Sequence, residues 1–314
     1  MKKLWILAFL FLSCKPNRDN PYDPQSPDYI GEGRVKGRIT NMVGVPLEGV
    51  KIFTIPVKFS AITDSAGEFA LNPDPGTWEL VAHLPCYMPE TTQVNITVGD
   101  TTIVNFLLNG IPVVKSARVI SCQEDMGFPS YNVYWANVSC EVQDPDGIQD
   151  IDSVWVVVEL DTGNFTQGLS FNAGIYDTGI CKSPYPNEEL ENLIGRPFII
   201  HALDKKGTIG NSPDFYISRI IYKVPWTISP VYGDTLPQAT PIDFVWSEVK
   251  VIYPIVYRLI LQNSSYETIL TYDNLVDTTA TVDSLPQATY HWKVEIRDEY
   301  GDFSRSRQTS FVIK

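Results

Sequence analysis

Hydrophobic and polar positions follow three different regimes along this chain. Leu4 to Leu12 is an unbroken run of nine apolar residues behind Lys2 and Lys3. Spanning a bilayer takes ~20 apolar residues, so a run of this length behind a positive start fits the hydrophobic region of an export signal. Lys15 to Gly33 (KPNRDNPYDPQSPDYIGEG) has four prolines and no apolar period. It cannot bury a core and predicts a flexible tether. From Arg34 onward the period is two, the mark of half-buried strands.

The alternating runs fall into three groups. The first holds Arg34 to Thr40, Gly49 to Ile55, Glu68 to Leu71, Gly76 to His83 and a closing run at Thr102 to Leu108. The second holds long runs at Val113 to Ser121 and Tyr131 to Val142, the apolar Ser153 to Leu160, Pro197 to Asp204, and Phe215 to Ile221. Between these, Phe165 to Leu193 carries few strand signals. The third holds Ile242 to Trp246, Ile255 to Leu261, Thr268 to Tyr272, Thr279 to Val282, Thr289 to Arg297 and Thr309 to Ile313. Prolines and glycines punctuate the gaps, and helical periods are almost absent. The expectation is an all-β chain of three tandem β-sandwich modules.

Composition narrows the classes of function. Lys and Arg number 24 against 37 Asp and Glu. Loss of Met1 to Ser13 removes Lys2 and Lys3 and leaves 22 against 37. No sequence segment concentrates cations, which argues against a nucleic-acid partner. Of the five cysteines, Cys86, Cys122, Cys140 and Cys181 follow Cys14. Export permits disulfides, but four cysteines allow three pairings and the sequence chooses none.

Several stretches resemble known families. Phe11-Leu12-Ser13-Cys14 resembles a bacterial lipobox, with Phe11 where Leu is usual. That resemblance implies a signal peptide over 1–13, cleavage before Cys14, and lipidation of Cys14 ahead of the tether over 14–33. Lys15 resembles the residue that sends such proteins to the outer membrane under one bacterial sorting rule. The run Gly33 to Ile39 (G-x-V-x-G-x-I), the step Pro46 to Val50, Thr63 to Phe69 (T-D-x-x-G-x-F), Gly76 to Ala82 (G-x-W-x-L-x-A) and Val104 to Leu108 come in order. They resemble the carboxypeptidase regulatory-like family, implying a non-catalytic transthyretin-like sandwich over 34–110.

Asp144 to Val154 (D-x-D-G-I-x-D-I-x-x-V) and Ala202 to Gly207 (A-x-D-x-x-G) resemble bacterial immunoglobulin-like modules, implying one over 111–223. Trp246, Tyr257, and Leu285 with Tyr290 resemble the fibronectin type III pattern, tyrosine corner included, over 224–314.

Candidate chemistry is sparse. Asp144, Asp146, Asp150 and Asp152 offer hard oxygen ligands to a structural Ca²⁺ around the Gly147 turn, against the plainer reading of an Asp-rich turn bonding its own backbone. Tyr290, Trp292 and Tyr300 offer a sugar-stacking face, although Tyr290 and Trp292 share one strand face as core residues do. Asp64 reads as turn chemistry. The three histidines, His83, His201 and His291, fall one to a module, and no GxSxG, HExxH or phosphate loop is present. No catalytic residue and no cofactor is expected. The expected class is a non-catalytic lipoprotein of the cell envelope, membrane-anchored, binding or scaffolding protein or polysaccharide; the alternative is a carbohydrate-binding accessory lipoprotein.

Overall fold

A computed structural model describes residues 26, 31–127, 132–161, 163–183 and 188–314. The signal run and Cys14 lie outside the described residues. The chain divides into two compact units, Met1–Gly110 and Ile111–Lys314, and both are built of strands. The chain is nearly all-β, in several sheets packed as sandwiches.

Among the described residues the first unit has eight strands: β1 (Arg34–Asn41), β2 (Lys51–Ile55), β3 (Ser60–Ile62), β4 (Glu68–Leu71), β5 (Gly76–His83), β6 (Glu90–Ile96), β7 (Thr101–Ile103) and β8 (Phe106–Leu108). One sheet runs β4-β1-β7, with β8 also on β1; the other runs β3-β2-β5-β6. The closing run read as one strand is two, both parallel to β1. Val104, Phe106 and Leu108 of this run, with Val35, Ile39, Ile52, Phe69 and Leu80, make the core.

Asp64 behaves as turn chemistry predicts. Its Oδ1 accepts the amides of Ala66 and Glu68, both at 2.9 Å. Gly67 sits at φ 74°, where a Cβ would meet the Ile39 carbonyl oxygen at 2.4 Å. Only glycine suits that position.

The second unit continues with β9 (Val113–Glu124), β10 (Val133–Gln143), β11 (Ile151–Leu160), β12 (Gly163–Gly168), β13 (Ser170–Asn172), β14 (Ile175–Ser183), a short α1 (Glu188–Glu191), β15 (Phe198–Asp204) and β16 (Ile209–Asn211). Then follow β17 (Thr227–Ser229), β18 (Thr235–Leu236), β19 (Ile242–Trp246), β20 (Val256–Gln262), β21 (Thr268–Leu275), β22 (Thr279–Val282), β23 (Thr289–Arg297), β24 (Phe303–Arg305) and β25 (Thr309–Ile313). Two expectations are corrected. Phe165 to Leu193 is largely strand, and Phe215 to Ile221 is extended chain whose one pairing is a Phe198–Phe215 bridge.

Two sandwiches share this unit. In one, β12-β11-β15-β16 packs against β13-β14-β10-β9 around Val138, Val156, Phe198 and Ile200. In the other, β17-β19-β22 faces the sheet of β20, β21, β23 and β25 around Phe244, Trp246, Trp292 and Phe311. Each such side chain contributes roughly 1.5–3 kcal/mol by leaving water. The Tyr290 hydroxyl donates to the Pro286 carbonyl at 2.9 Å, as a tyrosine corner does.

The sandwiches are joined by hydrogen bonds. β24 pairs in parallel with β9, Phe303 opposite Cys122 and Arg305 opposite Glu124. One sheet therefore runs β13-β14-β10-β9-β24-β23-β20-β21. The stretch between β23 and β25, short of apolar alternation, thus carries the seam strand β24. Ionic groups line it. Fully buried Glu295 receives Arg305 Nη2 at 2.7 Å and Nε at 2.9 Å, and also pairs with Arg297. Glu124 takes Lys293 at 3.1 Å. Buried Asp302 accepts the Ser121 amide at 2.6 Å.

Candidate functional site

Antiparallel pairing places Ile151 opposite Asp204, bringing the end of β15 beside the acidic turn that precedes β11. The carboxylates of Asp144, Asp150 and Asp204 each put an oxygen within 4.8 Å of the others. Asp144 ends the β10 side of the turn, and its Oδ1 accepts the Asp146 amide at 2.7 Å. Gly147 takes φ 101° and opens the 3₁₀ turn Ile148–Asp150. Asp204 is buried, and its Oδ1 accepts the amides of Lys206 and Thr208, both at 2.8 Å. The Lys205 amide donates to the Asp150 carbonyl at 2.9 Å, tying the two loops together.

Electrostatics single this cluster out. Burial, then neighbouring Asp146, Asp150 and Asp204, hold the Asp144 carboxyl above the usual carboxylate range. Burial and the charges of Asp204 and Asp146 raise Asp150 likewise, against the pull of Lys205 and Lys206. Asp144 Oδ2 and Asp150 Oδ2 are both buried without a hydrogen-bond partner. Unpaired buried carboxylate oxygens are costly, and three converging carboxylates supply part of the six to eight oxygens that a hard cation such as Ca²⁺ takes. The residues present fit Ca²⁺.

The carboxylates that the structure brings together differ in part from those the sequence offered. Asp144 and Asp150 belong to the cluster, and buried Asp146 stands close enough to raise both. Asp152 does not belong: it is the exposed second residue of β11, beside a register shift between Ile151 and Ser153. Asp204 replaces it. Sequence reading noted the D-x-x-G turn at Asp204 without joining it to the acidic loop, because only strand pairing makes them neighbours.

Other candidates resolve into structure. Tyr290 and Trp292 are core, and exposed Tyr300 lies beside the Arg219 guanidinium at 5.5 Å from its ring. His83 is exposed, His201 stacks on Trp155 at 5.3 Å, and His291 stacks on Tyr266 at 4.4 Å. Cys86, Cys122 and Cys140 carry free thiols, and burial pushes Cys140 up to about 12. The Cys181 side chain lies outside the described residues.

A search of curated proteins finds no match. Among solved structures, the FN1-FN3 domains of chicken CNTN1 align at 12% identity over 91% of this chain and 96% of theirs, TM-score 0.32. The fibronectin(III)-like modules of Clostridium thermocellum CbhA align at 22% identity over 29% of this chain and 94% of theirs, TM-score 0.25. A Bacteroides uniformis structure described as a putative carbohydrate binding protein aligns at 14% identity over 59% of this chain and 97% of its own, TM-score 0.25. Residues 34–109, the first sandwich, match the Carboxypeptidase regulatory-like domain family.

Proposed function

We propose that this chain is a non-catalytic lipoprotein of the cell envelope, held to a membrane, the outer membrane by the Lys15 signal, through lipid on Cys14. Its sandwiches serve binding, adhesion or scaffolding toward protein or polysaccharide. The observation that carries this reading is the sheet running unbroken from β13 to β21. A shared sheet holds the faces of two sandwiches at a fixed spacing, which suits a protein that presents surfaces. Behind it, the sequence supplies an export run, a cysteine and a proline-rich spacer. A diacylglycerol with a further acyl chain supports stable anchoring where one chain alone does not.

Metabolic labelling tests the anchor. In a bacterial host that processes lipoproteins, labelled palmitate should enter the wild-type chain and carry it into the detergent phase. Cys14→Ala should lose both properties. An unlabelled wild type, or a labelled Cys14→Ala chain, defeats the proposal.

The acidic turn has a structural part in this reading: Asp144, Asp150 and Asp204 hold Ca²⁺, which neutralises their repulsion and fixes the turn to the end of β15. At a free calcium 100 times its dissociation constant, binding adds about 2.7 kcal/mol. Melting of the full chain after chelation should then shift upward by roughly 5–10 °C on adding calcium, and Asp204→Asn should abolish the shift. The cation displaces protons from carboxyls that hold them unusually well, so the effect should fade as pH drops into the acid range. A melt indifferent to calcium at neutral pH rejects the site.

A further inference from the structure

A cleft of about 400 Å³ opens on the third sandwich, bounded by Tyr232, His291, Arg307, Gln308, Thr309 and Ser310. That volume lies within the roughly 300–1,000 Å³ of small-ligand sites. Such sites are mostly apolar, whereas hydrogen-bonding side chains predominate here.

Three elements hold the cleft in shape. The Tyr232 amide donates to Thr309 Oγ1 at 3.0 Å, fixing the loop after β17 to β25. The Trp292 indole donates to the Pro230 carbonyl at 2.7 Å, pinning the same loop to the core. The Asp234 carboxylate accepts the Val231 amide at 2.8 Å, closing the loop on itself. Tyr232 nevertheless keeps 87% of its surface exposed. A rigid loop presenting a bare aromatic ring is pre-organised, so little order is lost when something covers it.

The remaining groups have spare bonding capacity. Arg307, Gln308 and Ser310 make no side-chain hydrogen bond or ion pair among the described residues. Among the described residues no carboxylate pairs with Arg307, whose side chain packs over Gly127. Burial lowers the His291 pKa from its ordinary value, so the imidazole is neutral at pH 7 and offers one donor and one acceptor. Its ring is held by the stack on Tyr266, interplanar angle 24°.

A ring face beside planar, hydrogen-bonding side chains matches a sugar. The pyranose C–H face covers an aromatic ring, and its vicinal hydroxyls bond amide and guanidinium forks. An uncompensated guanidinium adds preference for a carboxylate, which it binds bidentately. We propose that this cleft binds a short glycan containing a uronic acid. Tyr232 is the stacking face, Arg307 takes the carboxylate, and Gln308 and His291 take hydroxyls. This deepens the binding role proposed above and draws on neither the lipid anchor nor the acidic turn.

The test is an array of neutral and uronic-acid oligosaccharides probed with the full chain in detergent, followed by calorimetric titration of the retained members. Uronic-acid glycans should bind at least tenfold tighter than neutral glycans of the same linkage. Tyr232→Ala should weaken both at least tenfold. Arg307→Gln should erase the preference and spare neutral binding. Both variants alter exposed side chains and should melt within a degree of wild type; Gln308→Ala gives a third probe, expected to weaken both glycan classes severalfold. Retention of no glycan, or retention that Tyr232→Ala leaves unchanged, overturns the proposal. Equal affinity for neutral and acidic glycans overturns the role of Arg307. The palmitate result is independent of these outcomes, so failure here is distinguishable from failure of the anchored reading.

Discussion

Replacing Glu295 by alanine is expected to destabilise the Ile111–Lys314 unit by about 3–5 kcal/mol, the usual cost of removing one member of a buried ion pair. Glu295 is fully buried on β23, and its carboxylate receives Arg305 twice and Arg297 once. Arg305 lies on β24, the strand that pairs with β9, and also reaches Glu124 at 3.5 Å. Its ring neighbour Phe303, with the guanidinium 4.8 Å from the ring centroid, contacts Trp135 of the other sandwich edge-on at 5.7 Å. Truncation at Glu295 leaves the half-buried Arg305 guanidinium with only its longer contact to Glu124 and strips Arg297 of its partner.

For a unit of this size each kcal/mol moves the midpoint by roughly 2–4 °C, so the melt should fall by ~10 °C. The same reasoning separates Glu295 from Glu124. Glu124 is 22% exposed, and water replaces part of what it gives, so Glu124→Ala should cost about 1 kcal/mol. Thermal and urea denaturation of the full chain measure both. A Glu295→Ala loss under 1 kcal/mol would mean the buried cluster adds nothing to the seam.

The sequence made most long strands legible, the nine-residue β14 excepted, and the shortest ones not, for a physical reason. β9, β10, β11 and β23 run 9 to 12 residues, long enough for several inward positions to repeat on one face. β3, β7, β8 and β24 have three residues each, giving one or two inward positions and no period. β12 and β13 fail differently. Nearly every residue in them is exposed, so they have no apolar face to announce them. Phe215 to Ile221 fails in the opposite sense: Ile217, Ile220 and Ile221 are buried without pairing as a strand, with Arg219 turned to Asp298 at 2.9 Å.

The seam was hidden because its buried residues are polar. Ser121, Gln123, Glu295, Asp302, Ser304 and Ser306 are all buried, and apolar alternation gives such positions no inward signal. The D-x-x-G turns at Asp64 and Asp204, by contrast, were legible. Asp298 repeats the geometry of Asp64 and Asp204, accepting the amides of Tyr300 and Asp302, both at 3.0 Å, with Gly301 at φ 88°. What sequence withholds is which turns meet. Asp144 and Asp150 were visible as candidate ligands, whereas Asp204 joins them through a pairing some 55 residues away, set by antiparallel register.

Asp302→Asn is expected to stabilise the protein at neutral pH and to leave it unchanged in acid. Burial is the main reason the Asp302 carboxyl is pushed up to about 6; Asp298 adds to the rise, and the Ser121 amide and Arg219 oppose it. A carboxyl whose folded pKa exceeds its unfolded value of ~3.9 holds its proton more tightly in the folded state. Its contribution is therefore favourable below about pH 4 and is lost as pH rises through 6. By pH 7–8 ionisation costs roughly 3 kcal/mol relative to the unfolded chain. Asparagine keeps the oxygen that accepts the Ser121 amide and removes the titrating charge.

It also places an N–H donor where Oδ2 stands without a partner, in a seam where Ser121 Oγ likewise has none. Melting curves of wild type and Asp302→Asn from pH 4.5 to 8 should diverge with rising pH, the variant higher by several degrees at the alkaline end. A difference that stays constant across that range, or a variant that is less stable at pH 8, would show that the Asp302 charge is compensated. The seam would then have to be held by the Glu295 cluster and strand pairing alone.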